Sequence, residues 1–254
     1  SVWRQLRKLI GGMRELGEIE REEEAMRIRF QRASDRVHQF QVIGERSSGT
    51  NYVHKLVREN CKITGREMYG WKHGFPSYLA LPRNYLCIVV SRNASDWVRS
   101  MYSKPWHVET ELAKSSFGDF IRSRWSTVVD RASYFSLEES DGRVGQILQP
   151  DRHPLTGEAF DNIFLLRTCK LKAHLSLFER GENVAFVNFE SILKNPALFV
   201  NRLAAYFDID LRSENVELPD TRMGEKRDYT NKDLPPKGLD AEDRRFMREQ
   251  LDLD

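Results

Sequence analysis

Residues Phe40-Gln41-Val42-Ile43-Gly44-Glu45-Arg46-Ser47-Ser48-Gly49-Thr50-Asn51-Tyr52-Val53-His54-Lys55-Leu56-Val57 decide the fold. The apolar run Phe40 to Ile43 predicts a strand, and Val53, Leu56 and Val57 fall at helical spacing. Between them, Gly44 and Gly49 enclose four residues. Strand, glycine loop and helix in that order are what a phosphate-binding loop needs, although Ser/Gly loops before helices also cap without binding an anion. Glycine lets the backbone approach an anion, and the first N–H groups of the helix, which lack acceptors inside it, point at the ligand. The hydroxyls of Ser47, Ser48 and Thr50 add donors. A nucleotide triphosphatase follows its second glycine with a lysine for the terminal phosphates and a hydroxyl residue for Mg²⁺. Here those positions are Thr50 and Asn51, so the loop suits an anion whose chemistry does not depend on metal.

Downstream, Tyr85 to Val90 is a continuous apolar run, as a parallel strand buried on both faces requires. It ends in Ser91-Arg92-Asn93, and a helix is expected next, with Ser95 as N-cap and Asp96 in its first turn. Ile163 to Leu177 predicts a helix, Val184 to Phe189 a strand, and Pro196 to Phe207 a further helix. Residues 103–161, rich in glycine and proline with a helical stretch near 117–129, read as an inserted substrate-side segment. Trp106, Phe117, Trp125, Tyr134 and Phe135 supply aromatic surface there. Alternating strands and helices predict an α/β fold: a P-loop three-layer architecture, its central and mainly parallel sheet flanked by helices. Residues 1–38 form a charged, periodic stretch expected to be an N-terminal helix, leaving 39–254 as the main domain.

The chain has 254 residues, ample for a sizeable core, and its 40 basic and 38 acidic residues leave a formal charge of +2. That balance argues against a dedicated nucleic-acid binder while permitting local anion pockets. Cys61, Cys87 and Cys169 are far apart and lack metal-ligand spacing, which argues against a disulfide framework or a metal centre. No membrane span is expected, since no stretch approaches the roughly 20 apolar residues one needs. A reducing, cytoplasmic setting is the expectation. The chain begins at Ser1 without methionine, so removal of an anchor, and with it a Golgi-luminal location, stays open.

Arg92 at the end of the central strand lies at the ligand edge of an open α/β sheet, and Ser100 lies in the next helix. An arginine and a hydroxyl so placed suit a second phosphate. The whole pattern resembles the sulfotransferases that use 3′-phosphoadenosine 5′-phosphosulfate. Ser48-Gly49-Thr50 matches the core of their 5′-phosphosulfate loop, and Arg92, Asn93, Asp96, Ser100 and Tyr102 match their 3′-phosphate element. Lys72-His73-Gly74-Phe75-Pro76 resembles the segment bearing the family's catalytic histidine. Phe189-Glu190-Ser191-Ile192-Leu193-Lys194-Asn195-Pro196 and Thr221 to Tyr229 resemble two later segments.

The resemblance implies a donor site made of Arg46, Ser47, Ser48, Gly49, Thr50 and Asn51 for the 5′-phosphosulfate. It implies Arg92 and Ser100 for the 3′-phosphate, with Arg222 and Gly224 closing over it. His73 would be the general base; neutral imidazole accepts a hydroxyl proton near pH 7. The family's loop lysine is Ser47 here, so the cation on the departing phosphate falls to Arg46 next to it, or to Lys55 or Lys72. His54, His107 and His153 are secondary candidates for the base. The implied co-substrate is 3′-phosphoadenosine 5′-phosphosulfate, with the desulfated bisphosphate as product and no metal. The implied acceptor is a hydroxyl or amine on a small molecule or glycan. A P-loop nucleotide or small-molecule kinase and a non-catalytic nucleotide-binding module are the two alternatives.

Overall fold

The structure, a computed structural model, describes residues 28–33, 36–219 and 238–251. These form two compact units: residues 28–93 with 173–219, and residues 94–172 with the C-terminal helix.

The first unit holds the sheet. Its strands are β1 (Arg29–Gln31), β2 (Gln39–Gly44), β3 (Thr64–Gly65), β4 (Tyr85–Ser91) and β5 (Asn183–Asn188), in the spatial order β1-β5-β4-β2-β3. β2, β3, β4 and β5 run parallel, and β1 is antiparallel to β5. Central position explains composition. β4 has a neighbour on each edge and all seven of its residues are buried, so no polar alternation is tolerated there. The helices of this unit include α1 (Thr50–Asn60), α6 (Phe189–Lys194) and α7 (Pro196–Phe207), numbered in chain order.

Alternate residues of the strands, Phe40, Val42, Leu86, Ile88, Val90, Ala185 and Val187, share one buried cluster with Val53, Leu56 and Val57 of α1. Phe199, Val200, Leu203 and Phe207 of α7 belong to the same cluster. The i, i+3, i+4 spacing on each helix meets the period of two on each strand, which is why both patterns are legible in the chain. Pro196 opens α7 at its first position, where a missing N–H costs nothing.

β1 departs from expectation. Of the charged stretch 1–38, residues 1–27 lie outside the described residues, and Arg29–Gln31 is an edge strand rather than helix. Ile28 and Phe30 are buried, and Phe30 packs 5.2 Å from the Tyr206 ring and 5.6 Å from Phe207. The alternation Ile28-Arg29-Phe30-Gln31 has the strand period, and the edge of β5 supplies a partner that local propensity could not announce.

The second unit contains α2 (Ala94–Ser103), α3 (Thr110–Ala113), α4 (Phe117–Arg122), most of α5 (Ile163–Leu175) and α8 (Ala241–Leu251). α2 begins at Ala94, so Ser95 sits inside its first turn and is not the cap. α4 stops at Arg122, with Ser116 capping it by accepting from the Asp119 N–H; the chain then runs extended through bridges Val108–Thr127 and Val128–Ile147. Asp151, 2% exposed, accepts from Trp125 Nε1 at 3.2 Å, Thr127 Oγ1 at 3.0 Å and Lys170 Nζ at 2.6 Å. Phe117 and Trp125 are core residues of this unit, whereas Tyr134 is exposed. None of the described helices is long and apolar enough to cross a membrane. The three cysteines are thiols, with Cys61 and Cys87 buried; burial pushes both thiols up to about 12, as inert core positions require.

Candidate functional site

The loop between β2 and α1 needs both of its glycines. A Cβ on Gly44 would lie 2.4 Å from the Val90 carbonyl oxygen, so only glycine lets β2 turn away beside β4. Gly49 has φ 94°, in the left-handed region, and a Cβ there would lie 2.3 Å from the Phe189 ring. Ser47 is also left-handed, at φ 62°, an uncommon state for a residue with a side chain.

Gly49 caps α1 without any side-chain hydrogen bond, and no acidic residue occupies the first turn. The first intrahelical bond runs from Val53 N to Gly49 O. Thr50, Asn51 and Tyr52 therefore present N–H groups with no acceptor inside the helix, at the positive end of its dipole. Ser48 differs from expectation. It is fully buried and its hydroxyl donates to the Glu45 carbonyl at 2.6 Å, so its proton stabilises the loop rather than a ligand. Glu45 itself is buried in the loop, a carboxylate that an anion site has to tolerate.

His73 reaches the loop through a chain of contacts with β2. Buried Gln41 on β2 donates to the Gly70 carbonyl at 3.1 Å and accepts from the Tyr69 N–H at 3.1 Å and from the Tyr85 hydroxyl at 3.2 Å. Three residues on from Gln41, the Gly44 N–H donates to Lys72 O at 2.9 Å. The next residue, His73, then lies with Nδ1 2.8 Å from the Gly44 carbonyl oxygen. A carbonyl only accepts, so this contact places the neutral imidazole's proton on Nδ1 and the basic lone pair on Nε2. The Trp71 ring meets His73 edge to face at 5.2 Å.

The three candidate cations differ. Arg46 is buried, its guanidinium 5.8 Å from the Trp71 ring centre. Lys55 lies 3.8 Å from Glu59, one turn along α1. Lys72 donates to Asn51 Oδ1 at 3.0 Å and pairs with Glu67 at 3.3 Å, which brings its ammonium to the first turn of α1. Arg92 approaches the loop from the end of β4. Its Nη1 donates to Ser47 O at 3.1 Å, its Nε stands 3.5 Å from Glu190 Oε1, and its guanidinium lies 5.8 Å from the Phe189 ring centre.

Arg46, Ser47, Ser48, Gly49, Thr50, Asn51, His73 and Arg92 thus all belong to the sheet-bearing unit and border one loop. Ser100 lies on α2 in the other unit, and Arg222 and Gly224 lie outside the described residues. Among the other histidines, the His54 ring lies tilted against Phe40 at 5.2 Å, and burial lowers its pKa from the ordinary value. His107 is bound to Asp130 at 2.5 Å in the second unit. Phe189 and Glu190 carry more of the site than their sequence alone announced. Phe189 packs against Gly49 and Tyr52, and Glu190 fastens the turn after β4. The available signal was their position directly after a buried strand, at the same sheet edge as Arg92. No family model, curated protein or solved structure matches the chain.

Proposed function

We propose that this protein is a sulfotransferase that uses 3′-phosphoadenosine 5′-phosphosulfate. The observation that carries the reading is the contact of His73 Nδ1 with Gly44 O, which supports it by holding an imidazole at the first residue of the glycine loop before α1. In this reading the α1 N-terminus and the loop backbone hold the 5′-phosphosulfate, and Arg92 holds the 3′-phosphate. His73 Nε2 removes the proton from the acceptor hydroxyl or amine. The acceptor's O–S or N–S bond forms while the bridging S–O bond breaks, and the departing bisphosphate keeps that electron pair. Arg46 and Lys72 offset the charge that grows on it. The P-loop architecture and the absence of a metal requirement belong to the same proposal.

The loop chemistry favours this over a kinase. Asn51 stands where a magnesium-binding hydroxyl is needed, and its side chain already receives Lys72. The test is thermal stabilisation by the desulfated bisphosphate, 3′-phosphoadenosine 5′-phosphate, in the presence of chelator. At 100 times its Kd the ligand is expected to add about 2.7 kcal/mol of stability. Stabilisation confined to ATP with Mg²⁺ would assign the loop to a kinase. Sulfuryl transfer from labelled donor to a panel of hydroxyl and amine acceptors, small molecules and glycans, then tests catalysis.

A further inference from the structure

Glu190 stands in the first turn of α6, directly after β5. Both of its carboxylate oxygens receive the Asn93 N–H, each at 3.1 Å. Oε2 also accepts from Asn188 Nδ2 at 2.9 Å, and Oε1 lies 3.5 Å from Arg92 Nε. Asn188 in turn caps α6 by accepting the Ser191 N–H at 3.1 Å, so the carboxylate is itself held by a fixed partner. The turn that leaves β4 is therefore pinned to the turn that leaves β5, through one side chain.

By charge alone a carboxylate beside Arg92 opposes an anionic ligand. Its hydrogen bonds point to another use. Arginine has a long, rotamer-rich side chain, and binding through it loses that freedom unless the fork is already oriented. Here Glu190 Oε1 stands 3.5 Å from Nε as an ion pair, Nη1 donates to Ser47 O, and the guanidinium lies 5.8 Å from the Phe189 ring centre. We infer that Glu190 is a positioning residue. It fixes the turn after Arg92 through the Asn93 N–H and holds the guanidinium by the ion pair, so that the donors of Arg92 meet the 3′-phosphate already aimed. This inference rests on the proposed nucleotide reading and adds a residue to it.

Calorimetric titration of 3′-phosphoadenosine 5′-phosphate and of adenosine 5′-monophosphate into four proteins tests it: wild type, Glu190→Gln, Arg92→Ala and the double variant. Glu190→Gln is expected to weaken the bisphosphate about tenfold and the monophosphate much less. The loss should vanish in the Arg92→Ala background, because the carboxylate acts through that arginine. Glu190→Asp, with the charge kept and one methylene removed, should recover part of the affinity; it also takes the place of Glu190→Gln in the cycle should the amide variant not fold. Undiminished bisphosphate affinity, or an equal loss with and without Arg92, overturns the assignment. A wild-type protein that does not bind the bisphosphate overturns the functional reading and this inference together, and shows it before any variant is compared.

Discussion

Arg92 Nη1 donates to the carbonyl of Ser47 at 3.1 Å, and Ser47 is the one non-glycine residue of the loop held at positive φ, 62°. The arginine expected to read a 3′-phosphate therefore also restrains the loop expected to hold the 5′ group. Left-handed backbone costs a residue with a Cβ on the order of 1–2 kcal/mol, and a charge-assisted bond to its carbonyl offsets that.

Arg92→Ala is accordingly expected to act on both ends of the nucleotide. Affinity for the bisphosphate should fall by about 2–5 kcal/mol, the scale for removing one partner of a hydrogen-bonded charge pair. Adenosine 5′-monophosphate should weaken too, by a smaller factor, and the melting temperature of the ligand-free protein should drop. Unchanged monophosphate affinity together with an unchanged melting temperature would show that the bond to Ser47 does no restraining.

Gly49→Ala tests the other wall of the loop. The added methyl meets the Phe189 ring at 2.3 Å and imposes a side chain on φ 94°. Strain and overpacking together are expected to cost about 2–4 kcal/mol in denaturant unfolding. Pairing it with Phe189→Leu should relieve the steric part and leave the backbone part. A Gly49→Ala protein as stable as wild type would contradict the close approach of ring and loop.

The sheet was legible because burial leaves a compositional mark. Tyr85–Val90 is wholly buried and wholly apolar apart from its tyrosine hydroxyl and thiol, and α7 begins at Pro196 as the chain suggests. The loop was legible because two glycines have steric duties. The strand Arg29–Gln31 was not, since three residues gain strand character only from the edge of β5. The Lys72–Asn51 and His73–Gly44 contacts were likewise invisible as contacts. They join residues 21 and 29 positions apart, and their register is set by the Gln41 side chain, a polar residue inside an apolar run. Glu190 looked like part of a motif; its work on Asn93 is a bond across 97 residues.

Acid should destabilise the fold partly through His54. Burial lowers its folded pKa below the ordinary 6.5, so the unfolded chain takes up the proton first. Stability contributed by the neutral ring is present above the unfolded value and declines as pH falls through it toward the lower folded value. His54→Leu keeps a ring-sized apolar neighbour for Phe40 and removes this proton. Its stability should decline less than that of wild type between pH 7 and pH 5 in urea titrations. Identical pH dependence in the two proteins would remove His54 from the account.

His73 has two duties that a pair of substitutions can separate. Nδ1 contacts the Gly44 carbonyl at 2.8 Å, a structural duty, and Nε2 is the basic atom assigned to the acceptor proton. Asparagine places an amide N–H near the position of Nδ1 and nothing at Nε2. His73→Asn should therefore keep the bond to Gly44, the melting temperature and the bisphosphate affinity, while turnover falls about 10²–10⁴-fold. His73→Ala should lose the same turnover and, in addition, about 1 kcal/mol of stability from the missing bond. Because Gly44 begins the loop, nucleotide affinity should slip in the alanine variant alone. Turnover retained in His73→Asn would move the base to another group. Turnover lost equally in both variants, with affinity and stability lost equally as well, would mean that His73 acts through the loop and not on the acceptor.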